Sequence, residues 1–182
     1  MTSVIEALSA IFKNFVDEEP KPPLHVGEVM DLWTAYTAFN EAHVLYQVAL
    51  NTTTDTDLIH ALNAAYNSSN ADTKKIESFL VNEGVPLPAI SSPKPSSEPG
   101  SVPEGVKLTE AEIANLICVK LATTITFCAQ ASTKTVRTDV GLLFVELQIN
   151  LMRYSAPFKN LMKSRGWLKI PPKYNPPGLP ER

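Results

Sequence analysis

Three histidines, His25, His43 and His60, are the side chains of this 182-residue chain best suited to metal or proton chemistry, and all fall in its first half. A dinuclear centre inside a helical bundle takes one Glu from each of two helices and a Glu-x-x-His pair from each of the other two. No Glu-x-x-His occurs, and the nearest string is Asp57-Leu-Ile-His60. At about 100° per residue, Leu58, Leu62, Ala65, Ile76 and Leu80 define the apolar face of that segment, and His60 points away from it into solvent. Serine, threonine and cysteine nucleophiles in the second half have no histidine there to activate them. No glycine-rich phosphate loop is present. The chain therefore carries no complete catalytic set and implies no cofactor.

A polar group of side chains is nevertheless expected to face inward. On the helix predicted from Val26, the seam at three-to-four spacing reads Val29, Trp33, Tyr36, Asn40, His43, Gln47 and Leu50. The facing seam reads Leu58, Leu62, Ala65, Ser69, Thr73, Ile76 and Leu80, bordered by Asp72. Each seam is apolar at its ends and polar at its centre. A buried polar group without a partner costs about 1–3 kcal/mol. Tyr36, Asn40, His43, Gln47, Ser69 and Asp72 are therefore expected to form one hydrogen-bonded network, with Glu146 or Asn150 at its margin. The leading reading is a polar layer that sets the register of a bundle. The alternatives are a small-ligand pocket and a mononuclear metal on His43 with Asp72 or Glu146, a thin ligand set. Glu28 and Asp31 sit where acids favour a helix N-terminus. Trp33 and Trp167 read as core or docking aromatics.

The elements that must position these residues are helical. A shift of 84 residues lays Gly27–Trp33 over Ala111–Ile117, Thr54 and Asp55 over Thr138 and Asp139, and Leu58 over Leu142. Each copy ends in a glycine ahead of prolines, Gly84 and Gly166, which reads as a duplicated helical hairpin. A short amphipathic helix, with Ile5, Leu8, Ile11, Phe12 and Phe15 on one face, is expected within residues 1–19. Hairpin 1 spans 26–83, with Thr54 or Asp55 capping its second helix. Residues 85–107 hold six of the 15 prolines. This segment is extended, at about 3.1 Å per residue, and long enough to cross the whole bundle. Hairpin 2 spans 109–164 and opens with a Thr109/Glu112 capping box. Pro157 is expected to kink or split its second helix. Residues 166–182 form an extended tail.

Composition narrows the partners. A net charge of −3 without a basic stripe argues against nucleic acid. No apolar run approaches the roughly 20 residues needed to span a bilayer, so no membrane partner is expected. The N-terminus lacks a basic leader and carries Glu6, unlike a signal peptide. Cys118 and Cys128 lie about 15 Å apart on one helix, too far to bridge. They read as free thiols in a reducing, cytoplasmic compartment.

Hairpin, long crossover and hairpin make an all-α, ferritin-like, up-down four-helix bundle, a single domain over 1–182. The strings DEEPKPPLHVGEVMDLW, NEGVPLP and GWLKIPP, with the proline-rich crossover, resemble an uncharacterised ferritin-like family of endospore-forming bacilli. Its members often carry the label "putative spore coat protein". The resemblance implies a ferritin-like bundle and an association with sporulating bacteria, in the cytoplasm or in the spore and its coat. It implies no activity. The expected function is thus a non-catalytic structural or interaction protein, with other spore proteins as partners. A ferritin-like metal-binding or oxidative protein with a degenerate mononuclear site, and a small-ligand carrier, are the rivals. A second apolar arc on the last helix (Leu142, Val145, Ile149, Met152 and Ala156) predicts a homodimer built from this face and the N-terminal helix.

Overall fold

The computed structural model describes Glu6 and residues 20–174. The expected N-terminal helix lies outside the described residues apart from Glu6, as does the end of the tail, 175–182. Four helices account for most of the described chain: α1, Val26–Leu50; α2, Thr56–Asn82; α3, Glu110–Lys134; and α4, Thr138–Ser164. Among the described residues the one other helical element is a 3-10 turn, Pro99–Ser101, and no strand occurs. α1 packs chiefly on α2, and α3 on α4.

The helix ends follow from local chemistry. His25 caps α1, its Nδ1 accepting from the backbone of Gly27 and Glu28, while Glu28 returns a bond from the His25 N–H. Thr109 and Glu112 make the same reciprocal box on α3, 84 residues later. Asp55 caps α2 through the Leu58 N–H at 2.9 Å. Gly84 and Gly166 both adopt left-handed backbone, with φ of 70° and 71°. After each glycine, the next residue bonds back to the helix: Val85 N to Leu80 O and Trp167 N to Met162 O, both 2.9 Å. This is the glycine stop in which a left-handed residue lets the chain reverse over its own last turn. α4 is not split at Pro157; it continues to Ser164.

Three contacts orient the helices. Glu28, at the start of α1, reaches the α3–α4 turn at Val136, and Glu83, just past α2, reaches Arg137 in the same turn. At the other end, Thr53 between α1 and α2 meets Glu110 at the start of α3. The chain thus runs up, down, down, up. Residues 85–109 carry it back from the lower end to the upper end along α1. There Ser91 bonds Glu41, Lys94 bonds Gln47, and Asn51 holds both Pro95 O and Ser97 N.

The core divides into two apolar clusters. One, at the upper end, gathers Tyr46, Leu58, Leu62, Ile113, Ile117, Phe158 and Met162. The other, lower, gathers Leu32, Phe39, Ile76, Leu80, Phe144 and Leu147. Every residue of the predicted α2 seam is buried. The predicted α1 seam needs correction. The buried stripe is Leu32, Ala35, Tyr36, Phe39, Ala42, Tyr46 and Ala49, and Trp33 is exposed. Apolar side chains ring this helix, with Val26, Met30 and Val48 also outward, so periodicity could not select a face. The alanines selected it, because they let α1 approach its neighbours closely.

α3 corrects a second expectation. By length and composition it is apolar enough to cross a membrane, with a mean hydropathy of 1.4 over its most apolar 18 residues. The single charge between Glu112 and Lys134 is Lys120, and it interrupts the run without making it polar. Ile113, Ile117, Leu121 and Cys128 place one side of α3 in the bundle core.

Candidate functional site

Between the two apolar clusters lies a polar layer. α2 supplies Ser69, Asp72 and Thr73, all buried, and α3 supplies Thr124. Asn150 of α4 donates its amide to Asp72 Oδ1 at 2.8 Å. Asp72 is 3% exposed. Burial pushes its carboxyl above the usual aspartate value, against the lowering effects of the Asn150 bond and the Lys75 charge; Glu146 adds to the rise. Lys75 lies 3.8 Å from Asp72 at the surface and pairs directly with Glu146. That bond to Glu146 raises the Lys75 pKa despite partial desolvation. Burial, with the Asp72 charge as a lesser contribution, pushes the Cys128 thiol up to about 12. Tyr46 is likewise raised to about 12 by burial.

The other sequence-predicted residues go elsewhere. Asn40 donates to the Tyr36 carbonyl of its own helix at 2.8 Å. Thr73 bonds back to the Ser69 carbonyl. Gln47 accepts from Lys94 N at 2.9 Å and so holds the crossover. His43 stacks obliquely on Tyr66, with ring centroids 5.1 Å apart. Its Nε2 is buried without a hydrogen-bond partner. Burial pulls the imidazole pKa down, and the Ser69 backbone opposes this. The expected single network is therefore replaced by separate local bonds. The reason is geometric: α1 is rotated about one residue from its predicted face, which carries Asn40, His43 and Gln47 to the flanks of the α1–α2 contact. His60 is exposed.

Two cavities of about 10 Å³ each sit in this layer. Tyr46, Ser69, Leu121 and Leu151 line both, joined by Lys120 and Thr124 in one and by Asp72, Asn150 and Tyr154 in the other. A cavity of this size holds about one water molecule. Among the described residues no group of three or more His, Cys, Asp or Glu is placed to hold a metal ion.

A denser polar cluster, which sequence reasoning missed, lies at the lower end. Glu28 is 1% exposed. Its Oε1 accepts from the Val136 and Arg137 N–H groups, each at 2.8 Å, and its Oε2 from the His25 N–H. Arg137 is buried, with both guanidinium nitrogens on Glu83 at 2.7 Å, further bonds to Asp139 and a bond to the Pro22 carbonyl. The Glu83 and Asp139 hydrogen bonds hold its pKa above the ordinary arginine value. Burial acts to raise the Asp139 pKa, but the bonds from Arg137 and Lys21 outweigh it and hold the carboxyl below its usual value. This arrangement locks the start of α1, the end of α2 and the α3–α4 turn together. An arginine in a turn of three residues between two long helices was the available signal. Asp139 is two residues away, but its other partners, Glu83 and Pro22, are 54 and 115 residues away in sequence, beyond any local pattern.

A "putative spore coat protein" from Bacillus halodurans C-125 superposes with a TM-score of 0.83 at 28% identity, over 85% of this chain and 98% of that one. The uncharacterized protein YvdQ of Bacillus subtilis is 27% identical over 150 residues, which is 82% of this chain and 88% of YvdQ. A two-domain protein from Anabaena variabilis with DJ-1/ThiJ/PfpI-like and ferritin-like domains matches with a TM-score of 0.61 at 11% identity. That match covers 96% of this chain and 52% of that one, and at that identity it speaks for the fold alone. Residues 14–178 match the family described as protein of unknown function DUF3231, and the chain belongs to that family.

Proposed function

We propose that this protein is a non-catalytic structural or interaction protein of the bacterial spore, built on a duplicated hairpin whose bundle interior has closed. The observation that carries the non-catalytic reading is the polar layer itself. Asp72 is tied to Asn150, Gln47 is turned out to the crossover, and the two cavities that open within this layer are of about 10 Å³ each. A substrate or dinuclear centre needs more room and more ligands than that. The spore assignment rests on the likeness to the B. halodurans protein. Duplication is supported by the two capping boxes 84 residues apart and by the matching glycine stops at Gly84 and Gly166. Two measurements test the reading. A fluorescent fusion expressed in a sporulating Bacillus should concentrate at the forespore or coat, and diffuse signal throughout sporulation would refute the assignment. Protein purified without chelator or affinity metal should contain no stoichiometric transition metal. One bound ion lost in His43→Ala would favour the degenerate-metal rival.

A further inference from the structure

The outer face of α3 and α4 is an apolar surface that the bundle does not cover. Val119 of α3 is 65% exposed, and Ile149 and Met152 of α4 are 38% and 50% exposed. Between the helices runs a groove of about 390 Å³, lined by Cys118, Ala122, Ile125, Met152 and Ala156. α3 thus has two apolar sides, one in the core and one outward. This explains how a helix locked into a bundle comes to have the composition of a membrane span.

We propose that a second copy of this chain covers this face, in a two-fold dimer that packs α3 and α4 of one protomer on α3 and α4 of its partner. The area fits. Helices of 25 and 27 residues side by side present a face of roughly 37 by 20 Å, about 700 Å². A stable interface takes about 800 Å² from each partner. The charge pattern fits as well. A two-fold contact sets a surface against itself, so any central charge meets its like. Lys120, the single charge in the middle of α3, lines the interior cavity with Ala38 and Ala42 instead. The other charges of α3, Glu110, Glu112 and Lys134, stand at its ends, while on α4 Arg153 is exposed beside Met152 and Lys159 lines the groove toward the end of the helix. The interface centres on α3 as much as on α4, where the sequence pattern placed it. The proposal rests on this face alone and is independent of the spore assignment.

Light scattering coupled to gel filtration across a concentration series tests it. The full chain should run at about twice its 19.9 kDa mass. The double variant Val119→Glu, Met152→Glu changes exposed positions only. It should run at the mass of one chain, with helical circular dichroism unchanged. Val26→Glu, Met30→Glu, exposed apolar positions on α1, should remain dimeric. A wild-type chain that is monomeric throughout, or a Val119/Met152 variant that stays dimeric, overturns the proposal. So does a monomer that floats with phosphatidylglycerol vesicles through Val119, which would assign the face to a lipid surface.

Discussion

Glu28 illustrates how a residue with a plain local explanation acquires a larger role through burial. An acid in the first turn of a helix suits the dipole, yet Glu28 also receives three backbone N–H groups, two of them from a turn more than 100 residues away. Removing it leaves those donors unpaired. Glu28→Ala should destabilise the protein by about 3 kcal/mol or more, read as a lower urea midpoint; a change within about 0.5 kcal/mol would show that water replaces the carboxylate. His43 behaves in the opposite way. Its Nε2 has no partner to lose, and a shift of 84 residues lays it over Phe127. His43→Phe should be neutral or stabilising by thermal unfolding, since an apolar ring removes an unpaired buried nitrogen. Asp72 has a raised pKa. A raised carboxyl pKa means that the buried charge costs stability at neutral pH, and that this cost disappears as pH falls below the unfolded value of about 3.9. Asp72→Asn should therefore stabilise at pH 7 by on the order of 1 kcal/mol, and the gain should vanish in acid. A gain that persists at low pH would place its origin outside the ionisation.

At the scale of elements, α1 and α2 show what periodicity can and cannot establish. α2 has a polar outer surface, so one face alone is apolar and its buried seam is the predicted one. α1 is apolar around its circumference, so the same pattern allows several faces, and packing chose the one rich in alanine. One polar residue displaced by that choice, Gln47, has a use alongside two residues outside the predicted seam. Glu41, Gln47 and Asn51 form a row that holds the crossover against α1. A proline-rich strand of chain has few internal bonds, so this row fixes its position. Asn51→Ala should speed hydrogen exchange at the Ser97 amide by about fivefold, the equivalent of one hydrogen bond. Unaltered protection there would show that proline stiffness alone holds the segment.

For the molecule as a whole, the lower end is the clasp. Arg137 joins Glu83 and Asp139 with the chain at Pro22, while Glu28 grips the backbone of the same turn. The depressed Asp139 pKa has a definite sign. Its contribution to stability is present above the unfolded aspartate value of about 3.9 and is lost as pH falls through the lower folded value. Asp139→Asn should therefore be less stable than wild type at pH 7, with the deficit closing below about pH 4. Equal deficits at both pH values would trace the effect to lost geometry rather than charge.

The sequence by itself determined the helical class and the local chemistry of the helix ends. These depend on contacts within a few residues: Thr109 with Glu112, Asp55 with Leu58, and left-handed glycine at Gly84 and Gly166. It also determined the buried face of α2, because one apolar stripe on a polar helix leaves no choice. Tertiary structure alone decided the rotation of α1, the separation of the polar residues into local bonds, and the Glu28–Arg137 clasp. It also decided which side of α3 is left outward. Each of these depends on which of several apolar faces packs most closely, or on partners a hundred residues apart, and neither is recorded in the spacing of residues along one helix.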